Sequence, residues 1–129
     1  MHTFEVTTRS RTEMLDITDR VRSALADAGY TSGVCTVFIP HTTAAVTINE
    51  NADPSVQRDI LSELNKIVPF DDHYTHSEGN SAAHLKSTLV GPSVQVIVED
   101  GRLQLGTWQG IFFCEFDGPR QRRVWVQLA

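Results

Sequence analysis

The chain has 129 residues, enough for one domain with its own core and far short of the roughly 250 that a (β/α)₈ barrel takes. Hydrophobic residues make up 40% and charged residues 21%, the balance of a globular domain. The 11 Lys and Arg against 16 Asp and Glu leave a formal charge of -5, a poor basis for coating nucleic acid phosphates.

The N-terminus shows no signal peptide, and no run approaches a membrane span. Phe4 to Thr8 alternates and reads as a strand. Thr18 reads as the cap of a helix from Asp19 to Ala28, with Val21, Ala24, Leu25 and Ala28 on one face and Gly29 as its left-handed stop. Val34 to Ile39 is a strand ended by Pro40, and Ala44 to Ile48 is a second one. Asp53-Pro54 starts a helix carrying Val56, Ile60, Leu61, Leu64 and Val68, which stops at Pro69. Phe70 to Asn80 is polar and irregular, and Ser81 to Leu89 is a short helix closed by Gly91-Pro92.

The remainder reads as antiparallel. Val94 to Val98 and Leu103 to Leu105 flank the turn Asp100-Gly101, while Gly110 to Phe116 and Arg122 to Leu128 flank Asp117-Gly118-Pro119. The fold class expected is therefore α+β, one compact domain over residues 1–129, with mostly antiparallel sheets in a sandwich and two or three helices. Runs such as VQVIVE and IFFCEF suggest strands covered on both faces, part of that cover coming from subunit contacts. Cys35 and Cys114 sit within apolar runs and read as small buried hydrophobes, not a disulfide. A cytoplasmic protein is expected.

Polar residues concentrate in three segments. The first runs from Pro40 through His41, Thr42 and Thr43, then Asn49, Glu50, Asn51 and Asp53. The second spans His73 to Asn80, then His84 and Lys86, and the third is Gly106 to Gly110 around Trp108 and Gln109. His41, His76 and His84 would approach an ion from a strand end, a loop and a helix, leaving a position open for water or substrate. On sequence grounds His73 is equally available. Glu50, Asp53 and Glu78 can act as acid or base, or brace a histidine, though Asp53 has a competing role as helix cap. Asn49 and Asn80 fix loops or bind substrate. Lys86 can neutralise a phosphate, and on a helix it diverges from His84 by about 200°. Alternation puts Arg120 and Arg122 on one side of the last strand and Arg123 on the other.

The three blocks HTTAAVTINENADPSVQRDI, HSEGNSAAHLKSTLVG and GRLQLGTWQGIFFCEFDGPRQRRVWV resemble, in order and over nearly the whole chain, the YjbQ-like family, also described as secondary thiamine-phosphate synthase. The resemblance implies a compact homotrimer with paired sheets and a metal or small anion among histidines near a subunit interface. It selects His41, His76 and His84 over His73 as ligands of a divalent metal, most simply zinc, with magnesium an option for a diphosphate substrate. Its motifs fall on Thr42, Thr43, Asn49, Asn80, Trp108 and Gln109 for substrate, and on Glu50, Glu78 and Lys86 for catalysis. The implied activity joins an aminopyrimidine methyl diphosphate to a thiazole phosphate and releases diphosphate. Two other readings stay open: metal-assisted hydrolysis of an activated small molecule with Glu50 or Glu78 as base, and a non-catalytic trimeric module for a small phosphorylated ligand.

Overall fold

Period-two alternation and well-placed breakers give eight strands and three helices, and the computed structural model describes all of residues 1–129. In chain order these are β1 (His2–Thr7), β2 (Glu13–Asp16), α1 (Thr18–Ala28), β3 (Gly33–Phe38), β4 (Ala44–Glu50), α2 (Pro54–Ile67), α3 (Ser81–Val90), β5 (Ser93–Glu99), β6 (Arg102–Leu103), β7 (Gln109–Glu115) and β8 (Gln121–Leu128). One sheet has the order β1-β8-β3-β5-β6 and the other β2-β7-β4, with every pair antiparallel. The α+β sandwich expected from the sequence is the fold observed.

Local chemistry accounts for most element ends. Asp53 caps α2 by accepting the Ser55 amide at 2.9 Å, with Pro54 in the first turn. The hydrogen bonds from Ser55 hold its carboxyl below the usual range. Gly29 closes α1 at φ 63. Thr18 differs from expectation: it is inside α1, and the residue at the cap position is Ile17. The Thr18 hydroxyl instead accepts the Ile111 amide at 2.9 Å, tying α1 to β7. β2 was not anticipated, since Glu13-Met14-Leu15-Asp16 is too short to show a period.

Two strands are buried on both faces. From β7, Ile111 and Phe113 join the main core between the sheets, while Cys114 and the following Phe116 pack in a second cluster with Ala45, Ala83, Leu61 and Leu64. The apolar run IFFCEF is thus covered by the same chain, by the larger sheet on one side and by α2 and α3 on the other. Both cysteines are free and buried, and burial pushes their thiols up, to about 11 for Cys35 and about 12 for Cys114. No helix is long and apolar enough to cross a membrane.

β7 and β8 flank Asp117-Gly118-Pro119 but do not pair with each other; they lie in different sheets. What joins them is a buried ion pair. Arg122 on β8 faces inward, in phase with Val124 and Val126, and its Nε donates to Glu115 of β7 at 2.7 and 3.1 Å. Arg122 Nη2 donates to the Thr43 carbonyl (3.2 Å) and hydroxyl (2.9 Å), and the Thr8 hydroxyl donates to Glu115 at 3.3 Å. Burial raises the Glu115 pKa, and the hydrogen bonds and charge of Arg122 act against that rise.

Removing one partner of such a pair strands a buried charge. Glu115→Ala is therefore expected to lose about 3–5 kcal/mol of stability, with Glu115→Gln losing less because the amide oxygen still accepts from Arg122. Urea denaturation checks this; a loss below about 1 kcal/mol for Glu115→Ala, the value of an exposed pair, would contradict it.

Candidate functional site

The loop from Pro40 to Thr43 is shaped by what β8 leaves unpaired. β3 pairs with β8 only as far as Phe38 opposite Trp125. Two residues further along the same register, Arg123 lies beyond the last paired residue of β3, and Pro40, with no amide to donate, cannot extend the ladder. The Arg123 amide is satisfied by a side chain: it donates to His41 Nε2 at 2.8 Å. Burial, and then the charge of Arg122, lower the His41 pKa, so the ring favours its neutral form. The Thr43 end of the loop is held by Arg122.

α3 brings the second set of groups against this loop. His84, Ser87 and Thr88 fall on one helical face and, with His41, Thr42, Ala44 and Pro92, line a depression of about 410 Å³. His84 also borders a second depression with His73, Tyr74, His76 and Leu85. There the His76 and His84 rings meet edge to face at 5.3 Å between centroids. The Glu78 carboxylate lies 3.8 Å from His76 Nε2, and both are largely exposed. On the other side of His41 a third depression is lined by Thr42, Thr43, Arg120 and Arg122. Arg120 is held by Asp117 at 3.0 Å, and Asp117 also accepts from Asn80 Nδ2 at 2.9 Å. Asn80 thus ties the start of α3 to the turn that carries Arg120, a structural use of a residue the sequence assigned to substrate. The three depressions adjoin through His41 and His84 and form one groove.

Lys86 does not face this groove. It is fully buried, donates to Asn65 Oδ1 at 2.5 Å, and sits 4.1 Å from the Phe70 ring centroid. Arg11 lies 3.7 Å from the same centroid, so Phe70 lies against two cations. Burial lowers the Lys86 pKa and the Arg11 charge lowers it further. The divergence from His84 expected from helix geometry is observed, but it carries Lys86 beneath the surface and not towards an anion in the groove.

The remaining motif residues gather elsewhere. Asn49 and Glu50 lie at the far end of β4, opposite Gly110 and Gln109 of β7. Five residues of strand, Ala44 to Ile48, separate them from the Thr43 end of the His41 loop, about 20 Å. The Asn51 amide donates to the Trp108 carbonyl (2.9 Å) and Gln109 Oε1 accepts the Gly106 amide (2.8 Å), which ties the NEN and GTWQG segments together. A Cβ on Gly110 would come within 2.6 Å of the Asn51 side chain, so this contact requires glycine. Trp108 is 63% exposed. Within one chain the sequence-predicted residues therefore form two clusters: Thr42, Thr43, His41, His76, Glu78 and His84 at one end, and Asn49, Glu50, Trp108 and Gln109 at the other.

Within one chain the three histidines expected as metal ligands do not converge on one point. No group of three or more His, Cys, Asp or Glu side chains is arranged to hold an ion. His76 and His84 face one depression, whereas His41 lies beyond His84 with Nε2 already engaged. The sequence reading assigned no site role to Ser87 and left that of Arg122 open. Ser87 follows His84 by one helical turn, a spacing that signals a shared face. Arg122 shares the phase of Val124 and Val126, and a charge on a core face signals a buried partner.

Comparison with known proteins places this arrangement in context. The model of the UPF0047 protein YjbQ-like family matches residues 2–129. The UPF0047 protein YugU of Bacillus subtilis is 51% identical over 129 residues, covering 99% of this chain and 98% of its own. A UPF0047 protein of Methanocaldococcus jannaschii is 50% identical over 97% of this chain and 91% of its own. The crystal structure of a YjbQ/UPF0047 protein from Clostridium acetobutylicum has a TM-score of 0.98 at 50% identity, with 100% of each chain covered.

The burial of Lys86 has a measurable signature. Its native pKa lies below the ordinary value of 10.5, so between those two values the folded chain binds fewer protons than the unfolded one. Stability attributable to this side chain therefore rises with pH across that window. The stability of the wild type minus that of Lys86→Met is expected to increase as pH climbs towards 10.5, measured by urea denaturation at a series of pH values. A flat difference would mean the ammonium is solvated.

Proposed function

The chain belongs to the UPF0047 YjbQ-like family, and we propose that it is an enzyme of the secondary thiamine-phosphate synthase type. In this reading it joins an aminopyrimidine methyl diphosphate to a thiazole phosphate. The observation that carries the proposal is the groove itself. No acidic side chain lines the two depressions that meet at His41, guanidinium groups border one end, and imidazoles crowd the other. Such a surface suits a substrate with a phosphorylated end and a heteroaromatic end.

The chemistry asked of these residues is modest. The bond between the pyrimidine methylene and the diphosphate oxygen breaks, the electron pair leaves with diphosphate, and the thiazole nitrogen supplies the pair for the new C–N bond. Diphosphate departure is favoured by donors already in place for its developing charge. Arg120 and Arg122 each spend their Nε and Nη2 groups within the protein and keep Nη1 for a ligand. His84, which borders two of the depressions, is the group placed to give a proton to the departing oxygen. No step is routed through a metal, because the donor set does not assemble one.

The reading includes a homotrimer in the cytoplasm. The number of subunits comes from the family resemblance. It is supported by Val34, Phe38 and Ile97, which stand exposed on the outer face of the larger sheet, where Phe38 also stacks on Trp125 at 5.8 Å. It is also supported by the separation of the two polar clusters, since Trp108 and Glu50 reach a His41 groove only if a second copy supplies it. Buried free thiols fit a reducing compartment.

Two measurements test the proposal. Light scattering should give three times the chain mass at micromolar concentration, and a monomer would end the trimer reading. With both substrates present, diphosphate release should depend on the thiazole phosphate, and His84→Ala should slow it by about a hundredfold. Release that ignores the thiazole phosphate would point to a hydrolase, with Glu78 beside His76 as the base. Binding without any release would leave a ligand-binding module.

A further inference from the structure

We propose that the depression between the His41 loop and α3 is a phosphoryl-binding subsite in which Ser87 Oγ–H and His41 Nδ1–H are the donors, and that His41 is not a metal ligand. The inference rests on reading the groove as the site of a phosphorylated substrate, and it names the residues that hold one phosphoryl group.

The first observation is Ser87. It is only 8% exposed, lines this depression, and its Oγ makes no hydrogen bond within the protein. Serine and threonine inside helices ordinarily give the hydroxyl to a carbonyl one turn back. The adjacent Thr88 does so, donating to the His84 carbonyl at 2.9 Å. Ser87 does not, and a buried hydroxyl left without a partner is costly unless something else meets it. The group it can meet is whatever enters the depression.

The second observation is independent and concerns His41. Its Nε2 accepts the Arg123 amide, so that nitrogen carries a lone pair and no proton. A neutral imidazole has one N–H, which must then sit on Nδ1. An N–H nitrogen donates to an anion and has no lone pair for a metal. The backbone of β8 thus selects the tautomer and, with it, the sign of the ligand.

The surroundings agree on that sign. The depression is lined by imidazoles and hydroxyls with no carboxylate, and it shares His41 and Thr42 with the neighbouring one that Arg120 and Arg122 border. A cation would find no counter-charge here. A tetrahedral oxyanion finds a hydroxyl, a ring N–H and nearby guanidinium groups.

The test uses inorganic phosphate and phenyl phosphate as probes, titrated calorimetrically into the purified protein. If the subsite serves free phosphate, the inorganic ion binds the tighter; if it serves a phosphate ester, phenyl phosphate does. In either case Ser87→Ala should weaken binding about tenfold, the loss of one hydrogen bond to a charged group, while leaving thermal stability equal or higher because an orphan hydroxyl is removed. Asparagine places an amide N–H near the Nδ1 position and glutamine near the Nε2 position. His41→Asn should therefore retain more phosphate affinity than His41→Gln. Nitrogen NMR of the imidazole should show the proton on Nδ1, with no shift of this ring when zinc is added. The proposal is overturned if Ser87→Ala binds both probes like the wild type, or if the proton is on Nε2, or if zinc moves the His41 resonances. These readouts do not involve turnover. A protein that binds phosphate through Ser87 yet makes no thiamine phosphate defeats the synthase reading alone, and the reverse result defeats this subsite alone.

Discussion

The Arg122–Glu115 ion pair is the constraint on which the site depends. It is buried where the chain passes from β7 to β8, an interior strand of each of the two sheets. Two charges in such a place are tolerable only when their other hydrogen-bonding positions are also filled. Thr8 and Thr43 fill them, and in doing so fix the start of β4 and the end of the His41 loop. Arg122 therefore does three things with one guanidinium: it links the two sheets, anchors a functional loop, and leaves one nitrogen edge towards the groove. The neighbouring residue completes the arrangement, since the Arg123 amide lies beyond the last paired residue of β3 and is taken by His41. Backbone pairing and side-chain chemistry are here the same event.

The two-sided burial of β4 and β7 explains why the polar motifs separate. A strand buried on both faces has no surface along its length on which to present a functional group. Groups can appear only at its ends. β4 accordingly carries Thr43 and His41 before its first residue and Asn49 and Glu50 at its last, with Ala44, Ala45 and Val46 buried between them. β7 likewise carries Gln109 at one end, while Glu115 at the other is buried in the ion pair with Arg122. The double cluster is a consequence of packing helices and a second sheet on opposite sides of the same two strands.

Much of this was legible in the residues. Asp53-Pro54, Gly29 and Asp100-Gly101 act through local stereochemistry, so their meaning does not change with the rest of the fold. The doubly apolar character of IFFCEF was equally visible, and within this chain α2 and α3 cover its second face. What escaped were properties of pairing. The strand β2 has four residues and no period, and it exists because β7 offers it a partner. That β7 and β8 belong to different sheets depends on inward-facing Glu115 and Arg122 meeting between the sheets, a contact seven residues apart in sequence that alternation alone does not disclose. The histidine assignment depended on a ring nitrogen, and which nitrogen is free was set by a backbone amide 82 residues away.

The segment His84-Leu85-Lys86-Ser87-Thr88 shows how one short stretch serves packing and chemistry together. Each residue advances about 100° around the helix. His84, Ser87 and Thr88 return to one face and line the groove, while Lys86 is carried to the opposite side, where it is buried with Asn65 and Phe70. Leu85 faces outward, 45% exposed. A lysine two residues after a functional histidine looks, in the sequence, like a second functional group. On the helix it is the residue with least access to the same ligand. Its ammonium occupies a buried position with only a neutral oxygen for a hydrogen-bond partner, against the ring of Phe70, whose other neighbour is Arg11. The Phe70 to Asn80 loop that begins there goes on to carry His73, Tyr74 and His76 into the groove. Lys86 thereby acts on the site through the loop's first residue, as a support placed under the wall of the pocket and not as a group within it.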